Sequence, residues 1–125
     1  MPMFMHQWSY KDHQVRQMLD DVEEVDRAEL VRTAIEAFGG SMHSFFYCFG
    51  EYDGTAISEF VDETTALACV LAIYGQGRIH SVRTTPLFLP QEGVKAVRLA
   101  QALLKSNEVR ESAATPRSAH ATAGN

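Results

Sequence analysis

"FGEYDGTAISEF", Phe49 to Phe60, sets Gly, Glu, Tyr, Asp and Gly between two runs rich in aromatic and apolar residues. The stretch reads in two ways. Asp accepts backbone N–H bonds in a turn, Gly takes a positive φ, and a Tyr at a strand start packs its ring while its hydroxyl reaches a polar partner. That is the bend of a β-hairpin. The other reading makes Glu51 or Asp53 a rim acid at the mouth of a site, aided by Tyr52. Turn chemistry is the commoner use of these residues, and it identifies the neighbouring segments as strands: "SMHSFFYCF" (Ser41 to Phe49) before the bend and "GTAISEFV" (Gly54 to Val61) after it.

Upstream, "MFMHQWSY" (Met3 to Tyr10) reads as a first strand, with Phe4, His6, Trp8 and Tyr10 on one face and Met3, Met5, Gln7 and Ser9 on the other. From Asp12 to Phe38 the pattern is helical but slips in phase. Val15, Met18, Leu19, Val22 and Val25 share one stripe, whereas Ala28, Val31, Ile35 and Phe38 share another, so a break is expected between Asp20 and Asp26. Gly39 and Gly40 end the second piece. Downstream, Asp62 offers a side-chain oxygen to cap a helix from Glu63 through "TTALACVLAIY", stopped by Gly75 and Gly77. That helix is apolar nearly all round, which predicts burial on more than one side. "RIHSVRTTPLFL" (Arg78 to Leu89) is a fourth strand, and Pro86, lacking an N–H, places it at an edge or a bulge. A last helix is expected over Pro90 to Lys105. The domain is thus read as residues 1–105, with 106–125 a flexible, Ala- and Ser-rich tail.

The order β-α-β-β-α-β plus a terminal helix defines an α+β chain with the split βαβ arrangement of ferredoxin-like folds, two helices covering one face of a four-stranded antiparallel sheet. Bulky residues stand at both parities of the first two strands, Met5 against Trp8 and Phe46 against Phe45, Tyr47 and Phe49. The second face therefore needs a cover, and in a chain of 125 residues that cover is expected to be a second copy, forming a dimeric α/β barrel. Several hundred Å² hidden per chain would contribute on the order of 10 kcal/mol gross, before association costs.

Composition excludes other classes. The chain fits one core, its 46% apolar content is ordinary for a folded soluble protein, and no apolar run reaches the roughly 18 residues of a membrane span. A net charge of -5 without a Lys/Arg cluster argues against nucleic acid. The N-terminal segment lacks the features of a secretion signal, so the cytoplasm is the expected compartment. Cys48 and Cys69 read as two buried thiols rather than a disulfide or metal pair.

"GEYD" (Gly50 to Asp53), with "AFGGSMHSFFYCF" before it and a strand, "SEF" and a short Ala-rich helix after it, resembles the GYD-domain family. The opening "FMHQWSYKDHQVRQM" resembles that family's first strand and the turn into its first helix. The likeness spans about Phe4 to Leu89 and implies a dimeric α+β barrel, without naming a reaction. The hairpin is also similar to the ligand-binding domains of Lrp/AsnC-type regulators, which implies amino-acid sensing; their DNA-binding helix-turn-helix is missing here. Asp21, Glu23 and Glu24 at the helix break and the C-terminal tail depart from the family pattern.

Candidate chemistry is spread over the strands. His6, His43 and His80 fall in three strands and would bind a metal or act as a base if one sheet face gathered them. Parity decides that, because a slip of one residue sends a side chain to the opposite face. Glu59 is a carboxylate within an apolar strand, expected to pair with Arg83 or a His at a dimer seam. Trp8, Phe45, Tyr47 and Tyr52 form a candidate aromatic wall for a small ligand. The candidate catalytic residues are therefore His6, His43, Glu59 and His80, and the candidate ligand residues Trp8, Tyr47, Glu51, Tyr52, Asp53 and Arg83. No phosphate cradle, metal-ligand spacing or Ser-His-Asp order stands out, so no cofactor and no metal are expected. Three functions follow: a homodimer that binds a small molecule or serves as an assembly module, a cofactor-independent monooxygenase or isomerase acting on a small aromatic substrate, or an amino-acid sensor.

Overall fold

The computed structural model describes residues 1–21 and 25–113, with side chains through residue 107. Val22, Glu23 and Glu24, placed above on the helical stripe or in the acidic cluster, lie outside the described residues, as do positions 114–125 of the expected tail. The elements are β1 (Met3–Tyr10), α1 (Asp12–Asp20), α2 (Arg27–Ala37), β2 (Ser41–Tyr47), β3 (Gly54–Glu59), α3 (Glu63–Tyr74), β4 (Ile79–Leu87) and α4 (Pro90–Ala113). The chain is α+β, with four strands in the order β2-β3-β1-β4, every pairing antiparallel. This order is consistent with a ferredoxin-like arrangement.

Two compact units divide the chain, Met1–Leu87 and one that begins at Phe88. In the second, α4 continues past Lys105, where the sequence predicted an end, to Ala113. Its entrance is closed by Glu92, whose Oε1 accepts the Leu89 N–H at 2.7 Å. No helix among the described residues is long and apolar enough to cross a membrane.

In the first unit, strand alternation puts Phe4, His6 and Trp8 on the face that α2 and α3 cover, where they join Ile35, Met42, Ala56, Phe60, Ala66, Cys69 and Ile79 in the core. The division of β1 into two faces follows the sequence reading residue for residue. Among the described residues β4 is an edge strand hydrogen-bonded only to β1, which is where Pro86 does no harm to the ladder.

The helical phase slip is a physical break. α1 stops with Asp21 in an extended conformation, and α2 restarts at Arg27, capped by the Asp26 carboxylate accepting from the Glu29 N–H at 3.1 Å. Two expectations need correction. The stripe Val15 and Leu19 does not face the core, since both are exposed and the buried residue of α1 is Gln14; α1 turns the Gln14–Met18 side inward instead. Nor is α3 buried on several sides. It forms an outer layer over one sheet face, so Ala66 and Cys69 are buried while Leu67 and Leu71 stand exposed. Its cap is as the sequence implies, Asp62 Oδ1 accepting from the Thr65 N–H at 2.8 Å and the Thr65 hydroxyl at 2.7 Å.

The opposite sheet face is mixed. Met3, Met5 and Ile57 share it with Gln7, Thr55, Glu59 and Arg83, as the cross-strand pairs Met5↔Ile57, Gln7↔Thr55, Gln7↔Arg83 and Met3↔Glu59 show.

Candidate functional site

The GEYD segment is a hairpin turn between β2 and β3. Gly50 takes a φ of 115°, a conformation open to a residue without a Cβ. The Cys48 N–H closes the bend on the Asp53 carbonyl at 2.9 Å. The side chain of Asp53 faces the neighbouring strand rather than open solvent. Its Oδ2 accepts the Tyr10 N–H at 2.8 Å, its own N–H donates to the Trp8 carbonyl at 2.8 Å, and the Ser9 hydroxyl donates to the Glu51 carbonyl at 3.0 Å. These bonds fasten the hairpin to the end of β1, the segment that carries Trp8 and Tyr10. Directly opposite Trp8 in the ladder stands Gly54. A Cβ there would meet indole Cε2 and Cζ2 at 2.5 Å, so only glycine leaves room for the indole at this position.

Above that indole, between the sheet and α1, α2 and α3, is a cavity of about 390 Å³. This falls within the size range of small-molecule sites and far exceeds the water-sized gaps usual in a packed interior. Its walls are apolar: Trp8, Ala56 and Val82 from the strands, Val31, Ala34 and Ile35 from α2, Cys69, Val70 and Ile73 from α3. Polar groups are unevenly placed. His6 lies toward the inner end, while Tyr10, Gln14, Arg27, Tyr74 and Arg78 gather where β1 ends, α1 begins and β4 starts.

His6 is 8% exposed. Its Nε2 is 2.7 Å from Ser58 Oγ and its Nδ1 3.1 Å from Thr84 Oγ1. A neutral imidazole donates from one nitrogen and accepts at the other, so the two hydroxyls complete both positions. Burial pulls its pKa down from 6.5 to about 4, because the cation would be stranded without water. At the other end burial raises the Tyr10 phenol, and in the apolar wall burial pushes the Cys69 thiol up to about 11. Arg27 is held by Asp21 at 3.3 Å.

The residues singled out from sequence are not gathered into one place. His6 and Trp8 line the cavity. His43 and Glu59 meet each other on the far sheet face, Nε2 to Oε1 at 2.8 Å, so the Glu59 partner is His43 and not Arg83. Arg83 lies on that same far face, opposite Gln7. His80 is exposed, and its carbonyl accepts from the Tyr74 hydroxyl at 3.3 Å. The three histidines therefore do not converge: alternation turns His6 inward and sends His43, next to the buried Met42, outward. No group of three or more His, Cys, Asp or Glu suited to a metal ion occurs among the described residues. Of the proposed aromatic wall, Phe45 lies between Trp8, tilted at 5.7 Å, and Tyr47, edge-to-face at 5.4 Å; Tyr47 is exposed and Tyr52 half-buried. Glu51 is exposed at the turn. Gln14, Arg27 and Arg78 were missed, although the i, i+4 spacing of Gln14 and Met18 held a faint signal for the first.

Against known proteins, a family model described as GYD domain matches residues 4–97. No curated protein matches the chain, and no solved structure does.

Proposed function

The chain belongs to the GYD-domain family, and on that premise we propose that it is a binding domain for a small, largely apolar molecule seated between the sheet and its helices. The observation that carries this reading is the apolar cavity of about 390 Å³ with polar groups confined to its ends. A ligand hiding on the order of 200 Å² of apolar surface there would gain roughly 5 kcal/mol. Association costs at least about 4 kcal/mol, so apolar contact alone gives weak binding and the polar end must contribute. Catalysis is not part of the reading, because hydroxyls engage both His6 nitrogens and the ring is a weak base. Trp8 is the only tryptophan and lines the cavity, so its emission reports occupancy. Titration with 1-octanol should shift that emission in the wild type and not in Ala34→Phe, which fills the space. Unchanged emission in the wild type, with no small molecule carried through purification in native mass spectrometry, refutes the reading.

The same reading keeps two copies joined through the far sheet face as a dimeric barrel. Its support is Met3, Met5 and Ile57 on that face and Phe46, 59% exposed and opposite Thr55 in the ladder. Sedimentation as a monomer at micromolar concentration would remove this part and leave the cavity. A second reading, a cofactor-independent enzyme, is favoured by one observation: Glu59 holds His43 at 2.8 Å, a carboxylate-oriented imidazole of the kind that serves as a general base. Loss of turnover on an aromatic substrate in His43→Ala would be its signature.

A further inference from the structure

We infer that the cavity ligand is a monocarboxylate with a hydrocarbon body, its carboxylate held by the Gln14 amide and the Arg78 guanidinium. The inference rests on the small-molecule reading above and deepens it. Gln14 is 2% exposed, which is rare for an amide, since burying one without a partner is unfavourable. Its backbone N–H is used inside the helix, donating to the Lys11 carbonyl at 3.0 Å, but among the described residues its side chain has no hydrogen-bond partner. Among the described residues no fully occluded side-chain nitrogen or oxygen is left unpaired, so the amide is open to some space, and the space that it lines is the cavity. A ligand oxygen is what such a group lacks.

The backbone brings a cation to the same place. The Lys11 N–H donates to the Arg78 carbonyl at 3.0 Å, so Arg78 and Gln14 flank one residue at the cavity's polar end. Of the two arginines there, Arg27 is occupied by Asp21, whereas Arg78 has no ion-pair partner among the described residues. An uncommitted guanidinium and an unsatisfied amide donor lining one cavity fit an anionic oxygen pair. The inner end demands the opposite. Ala56, Ile35 and Cys69 offer no polar partner, and a charged group beside His6 would meet a neutral ring already bonded on both sides. From His6 to Tyr10 the strand advances about 13 Å, the reach of a carboxylate with an extended chain of about eight carbons or a comparable ring.

Three probes of equal length separate the possibilities: octanoate, 1-octanol and octylammonium, titrated by calorimetry and Trp8 emission at pH 7.5 into wild type, Gln14→Leu and Arg78→Met. Octanoate should bind about tenfold more tightly than octanol, the factor expected of a charge-assisted hydrogen bond, with octylammonium the weakest. Each substitution should weaken octanoate far more than octanol and so close the gap between the two; Arg78 is exposed, so its variant folds even if the buried Gln14 variant does not. Equal binding of octanoate and octanol by the wild type overturns the carboxylate inference and leaves the cavity reading standing. An octanoate preference that survives both substitutions overturns the assignment to these residues. Silence from all three probes overturns the cavity reading with it.

Discussion

Lowering the pH should destabilise this protein through His6 by an amount the geometry sets. The folded-state pKa is about 4 against 6.5 for the free side chain, so between those values the unfolded chain holds a proton that the folded chain refuses. Stability therefore rises with pH across this window; it is fully present above 6.5 and lost as pH falls toward 4. At about 1.4 kcal/mol per pH unit, the full depression amounts to on the order of 3 kcal/mol, a large share of a small domain's stability. Carboxylates titrate in the lower half of the same window, so the measurement is a difference. Urea unfolding of wild type and His6→Gln would be compared at intervals from pH 7 to pH 4. Gln keeps a group that bonds a hydroxyl but does not titrate. The wild type should lose about 3 kcal/mol more than the variant, with most of the divergence between pH 6 and pH 4.5. Parallel curves would refute the claim that His6 is held neutral by the surrounding core.

Three further outcomes follow from the hairpin and the cavity. Gly54→Ala should cost about 1–3 kcal/mol in chemical denaturation and shift Trp8 emission, because the new methyl group would have to displace the indole, 2.5 Å away. Asp53→Ala should cost about 1–3 kcal/mol by leaving the half-buried Tyr10 N–H without its acceptor, and hydrogen exchange at Tyr10 should accelerate while α3 amides keep their protection. At pH 8 a disulfide-exchange reagent should label Cys48 in the native protein and spare Cys69, which is 2% exposed with its pKa pushed up to about 11, until denaturant is added; prompt labelling of both thiols would contradict the described burial.

Strand parity and turn chemistry made much of the fold readable. β1 alternates so strictly that its sequence alone assigns Phe4, His6 and Trp8 to one face, and the phase slip after Leu19 announces the break between α1 and α2. Caps and edge markers, Asp62 and Pro86, behaved as single residues usually do when their chemistry is local. The site was far less readable, for two reasons. Its polar end is assembled from β1, α1, α2 and the start of β4, so Gln14, Arg27 and Arg78 become neighbours only through the fold. Hydrophobic periodicity also misjudged α1: Val15 and Leu19 form the stronger stripe, yet the helix buries the Gln14–Met18 side. The histidines failed differently. Their strands were right, but alternation turned His6 inward and left His43 and His80 exposed, on separate surfaces.

The tie between Asp53 and the Tyr10 N–H gives the most recognisable piece of this chain a job at a distance. The hairpin touches no ligand in the proposed arrangement, yet it anchors the strand end from which two wall residues project. Anyone redesigning this domain to prefer another guest could therefore leave the chamber untouched and adjust its latch, retuning grip through the length or rigidity of a surface bend.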